Sequence, residues 1–185
     1  MPRRPILAVL GLLGVCGWAW NMVAARAADW PRWGGRDDCN MISDEKGLPE
    51  SFVPGKKRSD GSGIDSATTQ NVKWVARLGS QTYGNPTISG GKVFVGTNDA
   101  NLADPKYKST RGGAVKCFEE STGKLLWEQV IPRKETKDPN FNFDDLDLGV
   151  CSSPTVEGDR VYLVTNRCFS QLDRWHWRGR FSRHQ

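Results

Sequence analysis

Four oxygen-bearing side chains alternate along the acidic stretch DPNFNFDDLDLG: Asp138, Asn140, Asn142 and Asp144. Calcium takes oxygen ligands at alternating positions of a loop. Phe143, however, stands where such a loop needs its sharp-turn glycine, and Gly149 where it needs a bidentate glutamate. These four remain calcium candidates, with a solvated acidic loop as the plainer reading. The phrase GSGIDS from Gly61 lacks the third glycine and the strand-to-helix setting of a dinucleotide loop. Both histidines, His176 and His184, fall close to the C-terminus, and no Cys-x-x-Cys occurs. Neither a zinc site nor a Ser/His/Asp set can be assembled from these residues. In an oxidising compartment Cys39, Cys117, Cys151 and Cys168 would allow three pairings. Cys151 and Cys168 flank one short segment and could bridge locally; isolated, packed thiols are the alternative.

The elements that must carry these residues repeat. PTISGGKVFVGTN, from Pro86 to Asn98, returns as PTVEGDRVYLVTN from Pro154, at an offset of 68 residues. In each copy two β-branched and aromatic runs are parted by a two-residue break containing glycine, the signature of a tight hairpin. That turn sets Ile88 opposite Val93 and Thr87 opposite Phe94. It likewise sets Val156 opposite Val161 and Thr155 opposite Tyr162. A second marker, tryptophan, precedes each copy as Trp74 and Trp127. Its spacing shows 15 extra residues before the second copy, within the acidic excursion. Without them the unit is 53 residues, near the roughly 40–50 of a four-stranded propeller blade.

Residues 1–27 read as a signal peptide, with a helix over its apolar core. MPRR is a basic start, ILAVLGLLGVCGWAW an apolar core, and ARA before Ala28 a small-x-small cleavage site. A retained anchor is the alternative, and the membrane is met only through this segment. Three arginines before residue 28 and a net +3 after residue 168 account for more than the overall +5, leaving −1 for the body between them. A near-neutral body carries no basic stripe for nucleic acid.

Residues 28–71 form a leading segment and loop, with Lys56 to Gln70 an aperiodic surface stretch. VKWVARL from Val72 alternates and predicts a strand, followed by the first hairpin. Strands are also predicted at Ala114–Phe118 and Leu125–Val130, about a turn at Ser121–Lys124. The second hairpin closes the repeat region, 72–168. No period of 3.6 is sustained after the N-terminal segment, so the fold class is all-β. Residues 169–185, ending RWHWRGRFSRHQ, break the pattern inside a repeat and read as an atypical tail, truncated or frame-shifted.

AVKCFEESTGKLLWEQ resembles the repeat of pyrroloquinoline-quinone-type (PQQ-like) β-propellers, whose blades end on Ala-Leu-Asp-x-x-Thr-Gly-Lys-x-x-Trp. Thr122, Gly123, Lys124 and Trp127 match it outright, while Cys117, Phe118 and Glu119 replace Ala, Leu and Asp. The opening DWPRWGGRDDCNMISDEKGLP is similar to leaders of exported bacterial proteins with such repeats. The resemblance covers roughly Asp29 to Cys168. It implies a partial β-propeller of about two four-stranded blades, with Gly123 making the turn and Trp127 docking between blades. Trp74 and Trp127 are structural anchors on burial grounds alone. It further implies an exported, periplasmic or cell-envelope scaffold that binds a protein partner, as in outer-membrane assembly propellers. The alternative is the N-terminal piece of a quinone-dependent dehydrogenase. Such enzymes take pyrroloquinoline quinone and calcium, but gather the site from many blades and carry an adjacent-cysteine pair that this sequence lacks. No catalytic residue is assigned, and no cofactor is expected for two blades alone. Two blades should instead leave open edges near Ser153–Val156 and Arg160–Thr165, through which the chain could self-associate.

Overall fold

A computed structural model describes residues 28–135, 137, 145–167 and 170–174. The acidic candidates Asp138, Asn140, Asn142 and Asp144, the signal segment and Cys168 lie outside them. The described chain is all-β, in antiparallel sheets, with a single 3-10 turn at Ser66–Thr68. Contrary to the aperiodic surface loop expected for Lys56 to Gln70, a small ladder forms there. It joins β1 (Lys56–Lys57) to β2 (Ile64–Asp65), and the Asp65 carboxylate caps the 3-10 turn. Its side chain accepts the Ala67 N–H, a local bond that hydrophobic periodicity does not report.

The first large sheet is a four-stranded meander: β3 (Thr87–Ser89), β4 (Lys92–Asn98), β5 (Gly113–Glu119) and β6 (Leu125–Ile131). The second has three strands: β7 (Thr155–Glu157), β8 (Arg160–Val164) and β9 (Ser170–Arg174). The two hairpins share one register. Thr87 pairs Phe94 and Ile88 pairs Val93; Thr155 pairs Tyr162 and Val156 pairs Val161. The repeat in sequence is thus a repeat in backbone pairing, because a two-residue turn leaves no freedom to slip.

Strand alternation gives the first sheet two apolar faces. One carries Phe94, Val115, Cys117, Trp127 and Ile131, and packs with Val156, Val161 and Leu163 of the second sheet. The other carries Val93, Val95, Phe118 and Leu125, under Trp74, Ala76 and Leu78. Residues 72–78 alternate in exposure as predicted, but they join no ladder. The expected strand is corrected to an extended strap held by its side chains. Alternation reports one buried face; it does not supply a backbone partner.

The leading segment ties the sheets together at their inner edges. Trp30 exchanges both backbone hydrogen bonds with Ile88 on β3, at 2.7 and 2.9 Å, and the Pro31 carbonyl accepts the Val156 N–H of β7 at 2.7 Å. The edges expected near Ser153–Val156 and Arg160–Thr165 are therefore not both open. Pro31 covers part of β7, and β8 is central, flanked by β7 and β9.

Candidate functional site

The repeat phrase builds a docking contact. Glu119 N–H donates to the Lys124 carbonyl and Gly123 N–H to the Glu119 carbonyl, both at 2.8 Å, closing the β5–β6 turn. Gly123 holds φ at +72°, and a Cβ there would lie 2.5 Å from the Trp74 ring. The turn needs glycine twice over: for its backbone angle and for the indole resting on it. Trp74 Nε1 donates to the Glu120 carbonyl at 2.8 Å, and its ring stands 6.3 Å from that of Phe118. The indole is thus pinned by its polar end while its body covers apolar surface.

Trp127 sits on the opposite face, 6.1 Å from the Phe94 ring and against the core shared with the second sheet. Both tryptophans are half-buried and both anchor packing, one on each face of the same sheet. Beside Trp127, Val150 is fully buried in a notch over Gly96 and Gly113. A Cβ on Gly96 would stand 2.6 Å from its Cγ1.

The shared Thr-Asn exit of the two hairpins is a polar node. Thr97 Oγ1 accepts the Gly79 N–H at 2.9 Å and donates to the Gln81 carbonyl at 2.8 Å. Asn98 Oδ1 accepts the Ser80 N–H, and its amide donates to Ser80 Oγ and to the Asp147 carbonyl. Thr97 and Asn98 thereby hold two straps at once, 79–81 and 147–150; Val150 N–H donates to the Thr97 carbonyl. Asp147 also receives Arg111 and Arg133, each at 2.9 Å. At the second exit, Thr165–Asn166 lines a cleft of about 240 Å³ with Gly149, Cys151, Ser152 and Val164. There Asn166 Oδ1 is buried and meets no donor among the described residues.

Two buried acids went unmarked in the sequence. Asp99, almost fully buried, accepts from Ser109 Oγ, from both N–H and Oγ1 of Thr110, and from the Gly112 N–H. Its carboxylate folds the 99–112 excursion back on itself. Lys116 and Glu128 form a cross-strand ion pair at 3.1 Å, with side chains only 3% and 5% exposed. Lys116 donates further to the Asn101 carbonyl, and Glu128 Oε1 accepts the Ala103 and Asp104 N–H groups. These partners lie in the same excursion, so the pair fastens it to the sheet. The Thr-Gly turn alone would set Lys116 opposite Trp127; a register shift between Cys117 and Phe118 brings Glu128 opposite it instead.

Burial pushes the Cys117 thiol up to about 12, so it is an inert core group at neutral pH. Cys39 is exposed, its Sγ against the Trp33 and Arg36 carbonyls. Cys151 Sγ lies 3.8 Å from the Gly149 carbonyl, and its expected bridging partner falls outside the described residues. Among the described residues no three His, Cys, Asp or Glu side chains are grouped to hold a metal. No family model and no curated protein matches this sequence.

Proposed function

We propose that this chain is an exported, PQQ-like β-propeller segment that works as a non-catalytic scaffold or protein-interaction module. The observation that carries the reading is the seat of Trp74 on Gly123. It uses Gly123, one of the residues that carry the resemblance, as the platform on which an indole packs against the first sheet. Two further features support it. The hairpins repeat in register, and the buried acids Asp99 and Glu128 are engaged by backbone amides, hydroxyls and Lys116 in holding loops. On this reading the two sheets are successive blades, residues 1–27 direct export to the cell envelope, and the product is a surface rather than a reaction.

The test is titration of the purified chain with pyrroloquinoline quinone, with and without calcium, read by tryptophan fluorescence, alongside a dye-linked alcohol and sugar oxidation assay. No saturable binding and no turnover are expected. Micromolar quinone binding overturns the scaffold reading in favour of a dehydrogenase piece.

A further inference from the structure

The strap 72–78 is a strand without a sheet. Its side chains alternate, with Trp74, Ala76 and Leu78 on the core and Lys73, Val75 and Arg77 exposed, Val75 by 53%. Yet no backbone hydrogen bond is formed by Val72 through Arg77 among the described residues; the strap first engages at the Leu78 carbonyl, which accepts from Asn101. A row of extended amides and carbonyls outside any ladder is a template for strand addition. The second sheet shows the complementary deficit. It has three strands where the first has four, and the outer edge of β9 is unpaired among the described residues.

The repeat supplies the register. β6 pairs β5 with Trp127 opposite Cys117 and Glu128 opposite Lys116. β9 stands to β8 as β5 stands to β4: Leu172 pairs Tyr162 where Cys117 pairs Phe94, and Gln171 pairs Leu163 where Lys116 pairs Val95. Trp74 is the counterpart of Trp127. We infer that strap 72–78 of one copy of this chain adds to β9 of a second copy, with Trp74 opposite Leu172 and Val75 opposite Gln171. This register puts Lys73 beside Asp173, an opposite-charge neighbour of the kind that favours strand pairing. It also carries residues 79–82 of the donating copy over Thr165–Asn166, as 147–150 lies over Thr97–Asn98. By the same analogy the Gly79 carbonyl of the donating copy would accept from the Asn166 amide, as the Asp147 carbonyl accepts from that of Asn98. The two surfaces differ, so the contact is head-to-tail and propagates to a closed ring or an open filament. The inference goes beyond the scaffold reading and stands without it, since it needs only backbone pairing and the repeat.

The experiment mixes two full-length chains, Val75→Cys and Gln171→Cys, each in a background of Cys16→Ser, Cys39→Ser, Cys151→Ser and Cys168→Ser, under mild oxidation. A mixed disulfide is expected at several times the yield of either chain alone or of Lys57→Cys mixed with Gln171→Cys. In light scattering, Lys73→Glu should weaken self-association several-fold, and adding Asp173→Lys should restore it. A chain that stays monomeric at all concentrations overturns the inference. So does Val75→Cys linking to itself as readily as to Gln171→Cys, or a Lys73→Glu defect that Asp173→Lys leaves unchanged. Quinone binding bears only on the preceding reading and leaves this one standing.

Discussion

Among the described residues the first sheet is held on both faces, whereas the second is held on one. On the first, Trp127 and Phe94 face the second sheet while Trp74 and Leu78 close the other side. On the second, Val156, Val161 and Leu163 are buried against the first, but Val164, one residue on, is largely exposed. The hairpin exits differ in the same sense. Asn98 bonds to straps on both sides, and Asn166 leaves a buried oxygen without a donor among the described residues. One sequence phrase can thus be structurally complete or incomplete according to what passes over it. Burial of a repeat belongs to its neighbours as much as to itself.

Four comparisons should break that contrast or sharpen it. Trp127→Ala removes the largest side chain shared by the two sheets and should cost about 3–5 kcal/mol. Trp33→Ala, at a residue 53% exposed, should stay within about 0.5 kcal/mol. Urea unfolding of both checks the difference, and equal midpoints contradict the intersheet role. Lys116→Met should cost nearly as much, about 3–5 kcal/mol, because it leaves the Glu128 carboxylate buried without its cation. Adding Glu128→Gln should recover part of the loss, since the amide oxygen can still accept the Ala103 and Asp104 N–H groups. Gln171 occupies the corresponding register position of the second sheet, so Gln171→Met should leave the midpoint near that of the parent chain.

The turn glycines give a smaller, paired comparison. Gly123→Ala meets both a positive φ and the Trp74 ring and should cost about 2–4 kcal/mol. Gly158→Ala has a positive φ of 57° but nothing within 4 Å, and should cost about 1–2 kcal/mol. Thermal melts that rank them the other way would remove the docking contact from the account. The last contrast is one of pH. Cys117 is raised from 9.0 to about 12 by burial, so the unfolded chain loses this proton first. The stability tied to the neutral thiol is intact below pH 9 and falls as pH rises through about 12, by about 1 kcal/mol per unit just above pH 9. Cys117→Ala should abolish that slope, and Cys39→Ala should not.

The hairpins were legible because a two-residue glycine turn fixes which residues face each other. The β5 and β6 strands were legible for a similar reason, with the Thr-Gly turn between them. What escaped was pairing decided at a distance. The alternation of 72–78 announced a buried face, but only the folded sheets show that Trp74 meets Gly123 and that its backbone meets nothing. Asp99 opens a polar stretch between two strands, where an acid is ordinarily solvated. Its burial depends on Thr110 and Gly112 turning back toward it, which no periodicity encodes. Lys116 stands in an apolar strand, but its pairing with Glu128 depends on the register shift after Cys117, and its burial on Asn101 and Ala103. The blade count and the acidic candidates 138–144 turn on residues beyond those described.

The clasp made by Trp30 and Pro31 has a kinetic meaning. Its partners, Ile88 and Val156, lie at opposite ends of the repeat region. The Pro31–Val156 contact closes the longest loop among the hydrogen bonds of the described residues, and loop closure weighs on the rate of folding more than on its endpoint. A chain emerging N-terminus first exposes the clasp well before β7 exists. The β3–β4 hairpin and then the β5–β6 hairpin can form as they appear, whereas the clasp must wait half-seated on β3 until the second sheet arrives. Docking of the second sheet is therefore the last event, and a stall just after β6 would present the Phe94–Trp127 face uncovered.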